Sequence, residues 1–102
     1  MIVAAGSRTG TMPEQQTKPV LALESLWRVV MLDDPVNLMG YVVLVLRRIF
    51  GFDEARARQH MSEAHQKGRS VLWVGPREQA EAYVFSLQEW HISAILEKDE
   101  AH

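Results

Sequence analysis

A corner with two adjacent carboxylates divides the first half of this chain into a strand and a helix. Residues 26–32 are β-branched, aromatic and apolar, which is typical of a buried strand. From residue 38 the apolar residues recur at three- and four-residue steps as far as Phe50, which is typical of one face of a helix. Between them lies Asp33-Asp34-Pro35, which can neither easily continue a strand nor sit inside a helix. The chain must turn here, and loops at such corners are where a rigid scaffold usually displays its chemistry.

Two glycines and a proline indicate where the later elements begin and end. Gly51 and Gly68 are placed to end the first and second helices, and Asp53 has the chemistry of an N-cap for the second. Residues 70–74 are typical of a second strand. Pro76 suits the first position of a third helix.

A final strand over residues 91–96 completes the order β-α-α-β-α-β. This order predicts an α+β fold, a two-layer sandwich in which three helices cover one face of a three-stranded antiparallel sheet. Residues 1–24 are rich in Gly, Thr, Pro and Gln without a sustained period, so we expect a flexible N-terminal extension. We expect residues 25–98 to form the core domain and residues 99–102 to be a frayed tail.

Composition excludes several classes of function. The net charge of −2 argues against general nucleic-acid or membrane-surface binding, which needs clustered Lys and Arg. The absence of cysteine excludes disulfides, thiolate catalysis and thiolate metal sites. No run approaches the roughly 20 apolar residues of a membrane span, and the first six residues lack the basic segment of a secretory signal. We therefore expect a cytoplasmic protein with no membrane span.

The ionisable candidates leave more than one interpretation open. Asp33 and Asp34 could do acid–base work, hold a cation, or form a solvated turn in which a side chain caps its own backbone. His65 could be a half-buried histidine satisfied by its surroundings, or a neutral imidazole that accepts a ligand hydrogen bond. His60 and His65 lack the i, i+4 spacing of a chelating pair, and the loop offers too few acids for a hard cation. Ser62 lies beside His65 without an oxyanion-loop signature, so we expect neither catalysis nor a metal or other cofactor.

Two methionines and a valine lie at positions that face inward on the predicted helices. Met39, Val42 and Met61 have the spacing of core residues. Methionine also suits a pocket that must accept several shapes, because its thioether chain is flexible and polarizable. From these residues alone, core and pocket both remain open.

Taken together, these segments resemble one protein family. Residues 27–51 resemble the start of ClpS, the adaptor of the bacterial N-degron pathway, and residues 61–69, Met-Ser-Glu-Ala-His-Gln-Lys-Gly-Arg, are similar to its pattern M-x-x-V-H-x-x-G-K/R. Arg-Glu-Gln-Ala-Glu at 77–81 resembles its R/A-E-x-A-E helix start, and Leu-Glu-Lys at 96–98 resembles its ending. The corner sequence Asp-Asp-Pro-Val-Asn-Leu-Met at 33–39 resembles the actinobacterial branch.

The resemblance implies a non-catalytic adaptor. Such a protein binds N-degron substrates, whose first residue is Leu, Phe, Tyr or Trp, and delivers them to a ClpA- or ClpC-type AAA+ unfoldase of the Clp protease. The N-terminal extension would help this handover. The N-terminal ammonium would be bound by Asp33, Asp34 and His65. Unfoldase docking is expected at Glu78 and at Tyr83, which stands where some members have a Lys. The hydrophobic pocket for the first side chain would comprise Met39, Val42, Met61, Ala64 and Ile92.

The corner departs from the family's Asn-Asp-Asp loop. With Met39 as anchor, Asp33 falls on the Asn, Asp34 on the first Asp, and Pro35 replaces the second Asp. Matching the two Asp-Asp pairs instead would exchange the roles of the aspartates. Ala64 stands where the family often has Val, which would make the pocket roomier.

The alternative function is a non-catalytic protein–protein interaction module that resembles the C-terminal domain of the ribosomal stalk protein. That function would not need the two aspartates and the histidine to converge on one pocket. A small hydrolase using the same histidine is the other rival, and it would need a loop-borne nucleophile.

Overall fold

The computed structural model of the chain describes residues 26–99. The expected extension over residues 1–24 and residues 100–102 of the expected tail lie outside these described residues. The elements in chain order are β1 (Leu26–Leu32), α1 (Met39–Phe50), α2 (Glu54–Lys67), β2 (Arg69–Pro76), α3 (Arg77–Glu89) and β3 (Ala94–Lys98).

The three strands form one antiparallel sheet with β1 at its centre, in the order β2-β1-β3. Val29 and Met31 of β1 belong to the core, whereas Val74 and Ile95 are exposed. Helix α3 packs on all three strands, α2 packs mainly on β2, and α1 packs on the other two helices. The predicted α+β fold and its element order are therefore confirmed.

The ends of α1 and α2 follow from the residues that the sequence places there. Gly51 adopts a left-handed backbone with φ 73° and donates its N–H to the Arg47 carbonyl. The Asp53 carboxylate accepts the N–H of Arg56 and so caps the start of α2. Gly68 ends α2 with φ 91°, a conformation that glycine adopts without the steric penalty of a Cβ. All three predicted caps are confirmed.

Two predicted boundaries were wrong. The final strand covers Ala94–Lys98 and not residues 91–96, because the chain first completes a turn after α3. In that turn His91 adopts φ 65°, and Ile92 donates its N–H back to the Leu87 carbonyl at 2.9 Å. The apolar character of Ile92 reflects its burial in the core and does not indicate a strand.

The second strand is longer than predicted, and Pro76 belongs to this strand and not to the first turn of the third helix. β2 runs from Arg69 to Pro76, beyond the predicted residues 70–74, and Gly75 pairs with Trp27 within the sheet. Pro76 is therefore the N-cap of α3, which begins at Arg77.

Candidate functional site

A cavity of about 120 Å³ opens where β1 ends and α1 begins. The last two turns of α2 form one wall, and the segment that leads into β3 contributes to another. The cavity brings together the eight residues that the sequence predicted for the ammonium site and the hydrophobic pocket: Asp33, Asp34, His65, Met39, Val42, Met61, Ala64 and Ile92.

The edge of the cavity carries Asp33 and His65. Asp33 Oδ1 lies 3.6 Å from His65 Nδ1, and their side chains are 41% and 60% exposed. The Asp33 N–H donates to the Gly68 carbonyl at 3.0 Å, which ties the corner to the end of α2. The pair is therefore held in place but open to a ligand, and the half-buried histidine considered from the sequence is not observed.

Asp34 stabilises the turn at the corner through hydrogen bonds to its carboxylate. Its Oδ1 accepts the Val36 N–H at 2.9 Å, and its Oδ2 accepts Asn37 Nδ2 at 2.8 Å and Ser93 Oγ at 3.3 Å. These bonds, with the Val36 N–H foremost, hold the pKa of the Asp34 carboxyl below its usual range. Asp34 therefore makes the local backbone cap that a solvated turn predicts, while it also lines the cavity.

Asn37 is a site residue that the sequence reasoning missed. Its Nδ2 donates to Asp34 Oδ2 at 2.8 Å and to the His91 carbonyl at 2.7 Å. The second bond ties the corner to the turn that positions Ile92. The sequence shows only that Asn37 is a polar residue close to two aspartates. It cannot indicate the bond to the His91 carbonyl, because that carbonyl lies 54 residues away. Three further lining residues were also missed: Met31, Leu32 and Pro35.

The interior of the cavity is apolar. Val42, Ala64 and Ile92 are buried, and Met61 is half-buried on α2. Met39 belongs to the predicted apolar face of α1, yet its side chain is 52% exposed, at the cavity mouth. A cavity of about 150 Å³ with an apolar lining can hold a benzene ring. The site therefore offers a space of similar size for an apolar group, next to acceptors for a cationic one.

The two residues predicted for docking lie elsewhere, on α3. Glu78 is exposed in the first turn of that helix. The Tyr83 ring is half-buried, with its centroid 4.6 Å from that of Phe50 and 5.0 Å from that of Trp73. Neither residue lines the cavity, so any docking role concerns a separate surface.

Residues 26–99 contain no group of three or more His, Asp or Glu side chains arranged to hold a metal ion. Over the same residues, no helix combines the length and the apolar character that crossing a membrane requires.

Comparisons with known proteins agree on one family. The model of the family described as "ATP-dependent Clp protease adaptor protein ClpS" matches residues 22–94. The chain is 34% identical over 98 residues to the ATP-dependent Clp protease adapter protein ClpS of Mycobacterium tuberculosis, covering 96% of this chain and 97% of that protein. It is 34% identical over 92 residues to the Mycobacterium leprae protein of the same name, covering 90% and 85%.

A solved structure agrees with the fold. The structure of Agrobacterium tumefaciens ClpS2 bound to L-phenylalaninamide matches with a TM-score of 0.69 and 25% sequence identity, and the match covers 74% of this chain and 98% of that one.

Proposed function

The chain belongs to the ClpS family of Clp protease adaptors, and on that premise we propose that it binds proteins by a bulky hydrophobic N-terminal residue. The first residue would be Leu, Phe, Tyr or Trp, and the bound protein would be delivered to a ClpA- or ClpC-type AAA+ unfoldase in the cytoplasm. The observation that carries this proposal is the convergence of the Asp33–His65 edge and the apolar cavity in one site.

The edge suits an N-terminal ammonium. An ammonium has three N–H donors and no acceptor, so it needs acceptors around it, and a carboxylate and a neutral imidazole both qualify. We assign the ammonium contact to Asp33 and His65, because the Asp34 carboxylate already accepts three hydrogen bonds, from Val36, Asn37 and Ser93. Asp34 would then act mainly by holding the corner in place and by adding negative charge.

The cavity suits the first side chain. Burying a Leu or Phe side chain contributes about 1.5–3 kcal/mol, and truncating one partner of a buried charged hydrogen bond costs about 2–5 kcal/mol. Together these contributions amount to about 3.5–8 kcal/mol, which reaches micromolar affinity, on the order of −8 kcal/mol, at its upper limit. L-Phenylalaninamide, the ligand in the ClpS2 structure, has an amine beside a benzyl group, which is the chemistry that this site would accept.

The binding site is tested by a peptide series that differs only in the first residue. Fluorescence polarisation should show binding of peptides that begin with Leu, Phe, Tyr or Trp and little binding of peptides that begin with Ser or Gly. His65→Ala should weaken binding about tenfold or more while the circular dichroism spectrum is unchanged. Gln66→Ala is the matched control, because Gln66 is exposed on the same helix and lies outside the cavity lining. Unchanged affinity in His65→Ala would contradict the assigned role.

Delivery would use the surface of α3 that carries Glu78 and Tyr83. Glu78 is exposed, whereas the Tyr83 ring is half-buried and packed against Phe50, so Glu78 offers the freer contact. Glu78→Lys should weaken capture of a purified unfoldase and leave peptide affinity unchanged. Glu89→Lys makes the same charge change at the other end of α3 and serves as the control. If both variants captured the unfoldase as well as the wild type, docking at Glu78 would be wrong.

A further inference from the structure

Ser70 places a hydroxyl group in an apolar core. It is 2% exposed and is the buried polar residue among residues 26–99. Its Oγ donates to Glu63 Oε1 at 2.6 Å and lies 2.8 Å from His60 Nδ1. A hydroxyl has a single proton, and this one is committed to Glu63, so His60 must be the donor of the second bond. We call this chain of bonds, from His60 through Ser70 to Glu63, the α2–β2 clamp.

The protonation state of His60 is compatible with that assignment. Burial is the largest cause and lowers the pKa of its imidazole. The positive charge of Arg56 also lowers this pKa, whereas the carboxylate of Glu63 raises it by a smaller amount. A neutral imidazole has one N–H, and the clamp places it on Nδ1. The two hydrogen bonds of the clamp are therefore consistent with a carboxylate at Glu63, a hydroxyl at Ser70 and a neutral imidazole at His60.

Helix α2 needs such a clamp because its apolar contacts define its position weakly. Its fully buried residues are Ala57 and Ala64, and Met61 is only half-buried. Helix packing is normally fixed by large side chains that fill grooves on the neighbouring element, and alanine offers little of that. A single buried polar group can then fix the register between two elements, as buried Asn does in coiled coils.

The clamp joins two sides of the ligand cavity. On α2, His60 and Glu63 directly precede Met61 and Ala64 in the sequence. Met61 and Ala64 line the cavity wall, and His60 and Glu63 lie on a different face of the same helix. On β2, Ser70 pairs across the sheet with Met31, which lines the cavity from β1. The clamp thus connects the α2 wall to the strand that is hydrogen-bonded to β1.

We propose that His60, Ser70 and Glu63 are positioning residues that fix the width of the cavity, and with it the discrimination among first residues of the bound protein. This inference rests on the proposed function, because it concerns the same cavity. Without the clamp, α2 is held mainly by its alanines, and the wall can move outward. A small first residue such as Leu then loses contacts, whereas Trp fills the wider space.

The test compares two substitutions at Glu63. Glu63→Gln keeps a carbonyl oxygen that can accept the Ser70 hydrogen bond, and Glu63→Ala does not. Both substitutions remove the charge and the 4.0 Å ion pair with Lys67, so their difference isolates the hydrogen bond. The readout is the ratio of dissociation constants for two peptides that begin with Leu and Trp. Ser62→Ala, at an exposed position of the same helix, is the control.

Glu63→Gln and Ser62→Ala should keep the wild-type ratio. Glu63→Ala and Ser70→Ala should shift it towards Trp by about fivefold or more. Ser70→Ala removes one oxygen atom and keeps the volume of the core nearly unchanged, so it remains informative if Glu63→Ala does not fold. A ratio that stays at the wild-type value in Ser70→Ala, or affinities that fall equally for both peptides, would overturn the positioning role. A wild-type protein that binds neither peptide would instead refute the proposed function itself.

Discussion

Ala64→Leu should weaken peptide binding without lowering the stability of the protein. Ala64 is 3% exposed on α2, and it lines the cavity of about 120 Å³. A leucine here adds three carbon atoms, and we expect them to enter the empty space of the cavity. Filling a cavity that exists for a ligand should block the ligand while leaving the fold intact.

The two expected effects have opposite signs. Three additional buried carbons contribute up to about 2.4 kcal/mol to the free energy of unfolding, at about 0.8 kcal/mol per CH₂. The bound peptide loses the burial of its first side chain, about 1.5–3 kcal/mol, which corresponds to a fall in affinity of about 10- to 100-fold. Ala64→Leu should therefore be at least as stable as the wild type and should bind Leu- and Phe-initiated peptides much more weakly.

Urea denaturation and fluorescence polarisation on the same preparations measure both effects. Ala80→Leu is the matched control, because Ala80 is fully buried on α3 and lies outside the cavity lining. It should lose about 1–3 kcal/mol of stability through overpacking. If Ala64→Leu were destabilised as much as Ala80→Leu, or if it kept wild-type affinity, the cavity would not be the site of the first side chain.

Four further substitutions test other parts of the account. Asn37→Asp should lower the free energy of unfolding in urea by about 1–3 kcal/mol, because a carboxylate cannot donate to the Asp34 oxygen 2.8 Å away; unchanged stability would contradict the role of that bond. The lowered pKa of Asp34 makes its contribution to stability complete above about pH 4 and lost as the pH falls through the folded value. Asp34→Asn should therefore flatten the loss of urea stability below about pH 4, and equally steep curves would refute this linkage. Met39→Ala should open the cavity mouth, so that peptides that begin with Val or Ile compete for binding. If the variant still rejected these peptides, Met39 would not control access to the cavity. Gly75→Ala should lower the Tm, because a Cβ there would clash with the Trp73 ring; a wild-type Tm would show that the ring moves aside at no cost.

The fold was predictable where local chemistry decides it. Gly51, Gly68 and Asp53 end or begin helices through their own backbone and side-chain preferences, which act within a few residues. The turn after α3 was not predictable in this way. Ile92 looks like a strand residue, but its N–H returns to Leu87, and its side chain is buried in the core.

The site was only partly accessible from the sequence. Spacing left Asp33, Asp34 and His65 open to ordinary structural roles, and it was the resemblance to a family that grouped them with the methionines. Hydrogen bonds between different secondary-structure elements leave no periodic pattern, so the sequence alone did not indicate the role of Asn37 or the α2–β2 clamp. Asp34 shows how both interpretations can hold, since it caps its own turn and lines the cavity.

The most direct measurement of the central claim compares one Leu-initiated peptide with a free N-terminus and the same peptide after N-acetylation. Acetylation removes the positive charge and adds bulk at the Asp33–His65 edge, while the Leu side chain is unchanged. We expect the acetylated peptide to bind at least about tenfold more weakly, as measured by fluorescence polarisation. Equal affinity for the two peptides would contradict recognition of a free N-terminal ammonium.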